Sequence, residues 1–283
     1  MSEMIWQIGD RAVDLSQHSL IMGVLNVTPD SFSDGGEFFR TEKAIEHGIR
    51  MAAEGAQIID VGGESTRPGA EPVSADEELA RVRPVIAKLR EKIQAFISID
   101  TTKAAVALGA LEAGASIIND VSGGRADPEM MKLAAAKKAA FIVMHMQGTP
   151  QTMQTNPRYD DVVREVTDFF RQQYARALEC GIDSMAIAFD PGIGFGKTVE
   201  HNLELLASLP RLRVHDRPIV VGVSRKSSLG QMIGSTEMSD RLAPTIAFTA
   251  MLRERGANVL RVHDVKENAA ALRVTERLLE IAK

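Results

Sequence analysis

The stretch AFISIDTTKAAVALGALEAGASIIND, residues 95–120, contains one complete unit of the repeat that decides the fold. An apolar run ends on Asp100, a segment with helical periodicity follows, and a second apolar run ends on Asn119 and Asp120. Such continuous apolar runs are typical of parallel strands that are covered on both faces. Gly114 suits the end of the helix because glycine adopts the left-handed conformation without steric cost. The stretch therefore predicts a strand, a helix and a second parallel strand.

The same unit recurs along the whole chain. Eight apolar runs each end on a polar or charged residue: IMGVLN (21–26), QIID (57–60), AFISID (95–100), ASIIND (115–120), AFIVMH (140–145), MAIAFD (185–190), PIVVGVSRK (218–226) and ANVLRVH (257–263). Right-handed crossovers bring the carboxyl ends of such strands to one face, where barrel enzymes build their active sites. We predict one α/β domain over residues 1–283, a (β/α)8 TIM barrel. A doubly wound open sheet is the alternative, which eight matched units make less favourable.

The first residues and the composition complete this picture. MIWQIGDRAVDLS, residues 4–16, alternates around Gly9 and Asp10 and predicts a short hairpin, which would cover the amino-terminal mouth of the barrel. The single cysteine, Cys180, and the lack of a signal peptide lead us to expect a cytoplasmic protein. No apolar stretch approaches the roughly 20 residues of a membrane span. The net charge of −5 without a basic block argues against a nucleic-acid partner.

Two loops of the predicted catalytic face are long and polar. NVTPDSFSDGGEFF (26–39) follows the first barrel strand, and VGGESTRPGAEP (61–72) includes the end of the second. Their proline, glycine, serine and aspartate residues favour extended loops over core structure. We predict that both loops act as lids over the same mouth.

Polar strand ends predict a pocket for a flat heterocycle. Asp100, Asn119 and Asp190 end strands three, four and six, and their oxygens can accept hydrogen bonds from adjacent ring N–H donors. For Asp100 an alternative stays open, because an aspartate before TTKAAVA could simply cap the next helix. For Asp190 the pocket is favoured, since no helix begins directly after it.

Basic residues follow strands seven and eight, where barrels frequently hold phosphate groups. They are Arg225, Lys226, Arg261 and His263, and we expect them to form a cationic pocket. His145 is left undecided between packing and binding. Cysteine and histidine spacings predict no zinc site, so a metal would be a hard cation such as Mg²⁺, bound partly by phosphate oxygens.

The motifs at these strand ends resemble those of dihydropteroate synthases. They are GVLNVTPDSFSDGG, IIDVGGESTRPGA, SIDTTK, IIND, MHMQGTPQTMQ, DPGIGFGKTVEHN, VGVSRKSSLG and RVHDVKE, from about Met22 onward. The resemblance implies a Mg²⁺-dependent transferase of folate biosynthesis. It would join p-aminobenzoate to 6-hydroxymethyl-7,8-dihydropterin diphosphate and release diphosphate and 7,8-dihydropteroate. It also implies a sulfonamide target and a homodimer formed through the late helices.

The resemblance further implies site residues, motif by motif. Asn26 would help to hold Mg²⁺ and the diphosphate, while Arg261 and His263 would bind the anion. Asp100, Asn119, Asp190 and Lys226 would line the pterin pocket, with Met144 and Phe195 near its wall and Gly222 as a further substrate contact. Phe32, Thr66, Arg67, Pro68 and Ser227 would shape the p-aminobenzoate side. The catalytic set is expected to be Asp100, Asp190, Lys226, Arg261 and His263, whereas Asp60 and Asp120 would be structural support.

Three other functions remain as alternatives. A corrinoid-linked methyltransferase has a similar pterin-binding barrel but should lack SRKS and TRPG. A non-catalytic pterin-binding protein would need no diphosphate pocket. A sugar-phosphate aldolase would place a Schiff-base lysine in the barrel, and Lys226 is the candidate for it. ESTRPGAEPVS contains no insertion, so we expect sensitivity to sulfonamides.

Overall fold

Eight parallel strands surround the core of the protein, whose computed structural model describes residues 4–28, 37–65 and 71–282. A two-stranded antiparallel hairpin comes first, with β1 at Ile5–Ile8 and β2 at Arg11–Asp14. The barrel strands are β3 (Leu20–Asn26), β4 (Ile58–Gly62), β5 (Phe96–Asp100), β6 (Ile117–Asp120), β7 (Ala140–Met144), β8 (Ile187–Asp190), β9 (Val220–Val221) and β10 (Val259–Val262). Every predicted apolar run therefore contains a strand.

Helices alternate with these strands over the described residues. They are α1 (Glu37–Glu54), α2 (Ala75–Lys92), α3 (Ala104–Ala113), α4 (Met130–Lys137), α5 (Val162–Glu179), α6 (Val199–Ala207), α7 (Ser227–Ile233), α8 (Leu242–Glu254) and α9 (Val265–Ile281). In these same ranges, no helix combines the length and the apolar character needed to cross a membrane.

The sheet closes on itself at a narrow seam. Its strand order is β8-β7-β6-β5-β4-β3-β10-β9, with parallel neighbours throughout. Between β8 and β9 the closure consists of a parallel bridge that pairs Phe189 with Ile219, and the Phe189 amide donates to the Pro218 carbonyl at 2.9 Å. The predicted closed barrel is confirmed over the open sheet.

Side chains alternate along each strand between the helical layer and the barrel interior. Outward residues such as Ile59, Ile99 and Phe189 belong to the large core cluster between strands and helices. Inward residues at the lower end, such as Met22 and Ile58, form a second cluster with the hairpin. The hairpin therefore covers the amino-terminal mouth, as predicted, and leaves polar residues to the opposite mouth.

The hairpin is fixed to the barrel by Trp6, which is fully buried. Its indole Nε1 donates a hydrogen bond of 3.1 Å to the carbonyl oxygen of Ala186, just before β8. A buried indole N–H needs such a partner, because an unsatisfied donor would add a desolvation penalty. The contact ties β1 to the amino-terminal end of a barrel strand.

Candidate active site

The carboxyl ends of the strands place one inward residue after another around a single mouth. Strand register pairs Asn26 with Gly62, Gly62 with Asp100, and Asp100 with Asn119. Farther around the barrel, Met144 pairs with Asp190. The sequence predicts this gathering of strand ends, and the register of the sheet produces it.

Arg261 crosses the floor of this mouth. Its Nε donates to Asp60 Oδ2 at 2.7 Å, and its Nη2 donates to Asp100 Oδ2 at 2.8 Å. Asn119 Nδ2 donates to the same Asp60 oxygen at 3.1 Å. Arg261 therefore lies among the carboxylates that are expected to bind the pterin ring, whereas the sequence analysis expects it to bind the diphosphate. The guanidinium can face both subsites because it carries five N–H donors in a rigid plane.

Asp100 does not cap the helix that follows it. The first turn of α3 is capped instead by Asp127, whose Oδ2 accepts from the Ala104 amide at 2.8 Å. The Asp100 Oδ2 is bound to Arg261, and its Oδ1 is buried without a partner among the described residues. The capping alternative is therefore wrong.

Burial and mutual repulsion change the acidity of these groups. Burial raises the pKa of Asp100 to about 7. The positive charge of Arg261 opposes this rise, whereas the negative charge of Asp60 adds to it. Burial also raises the pKa of Asp190, although the Lys226 charge opposes it. The pKa of Lys226 falls to about 8, mainly because its ammonium is desolvated. A ligand with N–H donors would favour the ionised carboxylates.

Asp190 and Lys226 both form hydrogen bonds with the loop that follows β8. Asp190 Oδ1 accepts from the Gly192 amide at 2.7 Å, and the Lys226 ammonium donates to the carbonyl oxygen of Ile193. The Lys226 Nζ also lies 4.9 Å from the centroid of the Phe195 ring. The loop is thus bound from both sides.

An apolar wall borders the polar floor. Met144 is buried in a small cluster with Val121, Met146 and Met153, and Phe195 packs against that cluster. Gly222 is different in kind, since a Cβ there would lie 3.6 Å from the Cβ of Arg261. A side chain at 222 would therefore lie against the stem of Arg261.

A buried lysine that the sequence analysis missed holds the base of this wall. Lys197 is 3% exposed, and its Nζ lies 3.0 Å from His145 Nδ1. It also donates to the carbonyl oxygens of His145, Gly192 and Phe195 at 3.3, 3.0 and 3.0 Å. Burial lowers the pKa of Lys197 to about 7 and that of His145 to about 2. His145, which the sequence left undecided, is thus a packed, neutral imidazole. In the sequence, its partner Lys197 is the lysine that ends the GIGFGK motif.

The predicted cationic pocket is only partly assembled. The Arg225 Nε donates to Asp264 Oδ2 at 3.0 Å in an exposed ion pair, so Arg225 does not join the other basic residues. The Ser224 Oγ accepts from the His263 amide and lies 3.1 Å from His263 Nδ1. The hydroxyl can donate to an unprotonated Nδ1 or accept from a protonated one, so this contact holds the imidazole in either tautomer.

The second loop is fixed at its described ends by Glu64. Its Oε1 accepts from the Val73 amide at 2.9 Å, and its Oε2 accepts from Lys103 at 2.8 Å. Lys103 also pairs with the buried Glu78 at 2.6 Å. Phe32, Thr66, Arg67 and Pro68, the expected p-aminobenzoate residues, lie outside the described residues. Ser227 is exposed at the first position of α7.

Asn26 would offer a metal ion a side-chain oxygen at this mouth. Asn26 ends β3, and its Oδ1 lies 3.7 Å from the position of a Cβ at Gly62, next to Asp100. Among the described residues, no group of three His, Cys, Asp or Glu side chains could hold a metal. Mg²⁺ tolerates such a site, because it usually keeps several waters and takes further oxygens from phosphates.

Known proteins resemble this chain along most of its length. The model of a family described as "Pterin binding enzyme" matches residues 22–263. A dihydropteroate synthase of Synechocystis is 45% identical over 271 residues, which are 96% of this chain and 94% of that protein. A dihydropteroate synthase of Escherichia coli K12 is 46% identical over 268 residues, 95% of this chain and 94% of its own length.

Solved structures give the same result in three dimensions. A Xanthomonas albilineans dihydropteroate synthase with 4-aminobenzoic acid has a TM-score of 0.91 and 41% identity, covering 98% of this chain and 99% of that one. A Yersinia pestis dihydropteroate synthase with a sulfonamide drug has a TM-score of 0.91 and 41% identity, at 98% and 100% coverage. The Xanthomonas albilineans enzyme with 7,8-dihydropteroate has a TM-score of 0.87 and 39% identity, at 97% and 98% coverage.

Proposed function

Since the chain belongs to the pterin-binding enzyme family and, within it, to the dihydropteroate synthases, we propose that the carboxyl-end mouth of its barrel is the synthase active site. The reaction condenses 6-hydroxymethyl-7,8-dihydropterin diphosphate with p-aminobenzoate to 7,8-dihydropteroate and diphosphate, a transferase step of folate biosynthesis. The observation that carries the assignment is the Arg261 guanidinium held between Asp60 and Asp100 at the floor of the mouth. The named relatives favour a synthase over the methyltransferase alternative.

The pterin ring would lie against Asp100, Asn119, Asp190 and Lys226. The Asp100 Oδ1 supports this, because it has no donor within the described part of the chain and a ring N–H would satisfy this buried acceptor. Loss of the diphosphate leaves positive charge on the pterin methyl group and ring. The buried carboxylates of Asp100 and Asp190 would stabilise that charge in a site with a low effective dielectric.

The leaving anion would be bound by Arg261 and His263. Arg261 keeps its positive charge because Asp60 and Asp100 counteract the effect of its burial and raise its pKa. The His263 imidazole would be a second donor for a phosphate oxygen. We propose that Asn26 holds Mg²⁺, which supplies charge neutralisation for the diphosphate when bound.

The arylamine would enter from the side of the second loop. Phe32, Thr66, Arg67, Pro68 and Ser227 are proposed for p-aminobenzoate on the strength of their motifs. The amine of p-aminobenzoate is itself the nucleophile, so the reaction needs no activated serine or cysteine. A sulfonamide would compete for the same subsite, as p-aminobenzoate and these drugs share an arylamine.

Release of diphosphate by the protein when it is incubated with both substrates and Mg²⁺ tests the proposed cofactor and reaction together. The Asp190→Asn variant tests the pterin site, and we expect weaker binding of pterin diphosphate in calorimetry because one charged acceptor is lost. Asp168→Asn, an exposed carboxylate on α5, is the matched control and should bind normally. Equal affinity of the Asp190→Asn protein would contradict the assignment.

We further propose a homodimer formed by the last helices. Val274, Leu278 and Ile281 are 63%, 63% and 76% exposed and follow one another at intervals of four and three residues on α9. Large apolar side chains in such a stripe are typical of a surface that another chain covers. A single domain over 1–283 and a cytoplasmic location remain proposals of the same kind.

A further inference from the structure

Asp60 lies at the centre of the polar floor, one inward position before the end of β4. Its side chain is fully buried. The Oδ2 atom accepts from Arg261 Nε at 2.7 Å and from Asn119 Nδ2 at 3.1 Å, while Oδ1 has no partner among the described residues. One carboxylate oxygen thus joins two residues that come from β6 and β10.

We propose that Asp60 is a positioning residue for the synthase reaction, which orients the Asn119 amide and the Arg261 guanidinium for the pterin substrate. Asp60 acts through these two residues and need not touch the substrate. The proposal rests on the proposed roles of Asn119 and Arg261 in the same site.

The orientation of Asn119 follows from hydrogen-bond chemistry. An ionised carboxylate only accepts, so the amide can present only its NH₂ group to Asp60. This leaves the Asn119 Oδ1 on the side away from Asp60, as an acceptor. A flipped amide would direct NH₂ toward the pocket, where a ring N–H would meet a second donor.

The orientation of Arg261 follows from its two carboxylate contacts. Nε faces Asp60 and Nη2 faces Asp100, so the guanidinium plane spans the space between β4 and β5. Charge-assisted contacts of this kind fix direction as well as distance. Without Asp60, Arg261 would keep a single carboxylate contact and could rotate about it.

The Asp60→Asn variant tests the proposal while preserving shape. We expect pterin diphosphate to bind about tenfold more weakly in calorimetry, because an acceptor that fixes two binding residues is weakened. The KM for pterin diphosphate should rise while the KM for p-aminobenzoate stays the same. Ser98→Ala is the matched control: Ser98 is buried, faces inward and pairs in register with Asp60, yet its hydroxyl has no hydrogen-bond partner among the described residues.

Coupling between residues separates positioning from general support. In the Asn119→Ala background, Asp60→Asn should cost clearly less affinity than it does in the wild type, because one of its two targets is gone. The exchange Asp60→Asn with Asn119→Asp keeps the net charge and the hydrogen bond, and leaves an accepting oxygen for the ring. This double variant should bind better than Asp60→Asn alone, and it replaces that variant should the single change fail to fold.

The outcomes are distinct. Unchanged affinity of folded Asp60→Asn, additive effects with Asn119→Ala, or an exchange variant without recovery would each overturn the positioning role. If Asn119→Ala and Arg261→Ala themselves bind pterin diphosphate normally, the proposed site is wrong, and Asp60 has nothing to position.

Discussion

Replacement of Lys197 by methionine should remove a specific pH dependence from the stability of the protein. Methionine keeps much of the volume of the side chain but has no ammonium group. In the wild type, burial lowers the pKa of Lys197 from 10.5 to about 7, with Lys226 and Arg125 contributing and Asp190 opposing. The unfolded chain therefore keeps a proton on Lys197 over a pH range in which the folded protein has released it.

The sign and the size of the effect follow from this difference. Between the folded pKa of about 7 and the unfolded value of 10.5, the unfolded state binds more protons, so the free energy of unfolding rises with pH. One proton contributes about 1.4 kcal/mol for each pH unit. Because Lys197 is half protonated at the lower end, the wild type should gain about 2 kcal/mol relative to the methionine variant from pH 7 to pH 9.

Urea unfolding of both proteins at pH 7, 8 and 9 measures this difference directly. Titrating groups that do not interact with Lys197 are present in both proteins and cancel in the comparison. Lys88→Met is the control, since Lys88 is half exposed on α2 and its replacement should give a difference that stays flat with pH. A flat or falling difference for Lys197→Met would show that the buried ammonium keeps its proton, and would refute the reasoning.

Three further outcomes are expected. The affinity for pterin diphosphate should fall as the pH drops through about 7, because Asp100 takes up a proton there and becomes a poorer hydrogen-bond acceptor. Calorimetry of the Asp100→Asn variant should show no such pH dependence. Gly192→Ala should lower the free energy of unfolding in urea by about 3 kcal/mol or more, because its Cβ would lie 1.9 Å from the carbonyl oxygen of His145. Gly234→Ala is the control, since Gly234 has a similar φ and open space around it, and should lower this free energy by about 1 kcal/mol. Equal losses in the two variants would contradict this. Leu278→Asp should shift a dimer toward monomer in sedimentation, while Leu178→Asp, exposed on α5, should not.

The repeat of apolar runs was sufficient to predict the barrel and its closure, and the alternation around Gly9 and Asp10 predicted the hairpin. Strand ends were predicted well because a polar residue after a buried run marks the point where the interior ends. Lengths were less certain: β9 contains only Val220 and Val221, although its run extends from 218 to 226. The glycine and serine that follow favour a loop, and one residue before the strand contributes only an isolated bridge.

The sequence predicts which strand ends meet at one mouth, but not how their side chains pair. Strand position places Arg261 and Asp100 at one mouth, yet spacing along the chain does not show that β10 and β5 direct these two side chains toward each other. Asp60 was expected only as structural support, because its hydrogen bonds with Arg261 and Asn119 depend on the same pairing across the barrel. Lys197 follows a glycine-rich loop, a position typical of an exposed charge. Its burial was missed because only the folded backbone brings three carbonyl oxygens around it.

The hairpin has a practical consequence for solution experiments. Trp6 is the only tryptophan of the chain, and it is buried at the mouth opposite the active site. Its emission therefore reports the integrity of the barrel base, and should move to longer wavelength when the hairpin detaches or the protein unfolds. Ligands at the catalytic mouth should leave this fluorescence nearly unchanged. Intrinsic fluorescence is thus a clean probe of folding in this protein and a poor one for substrate binding.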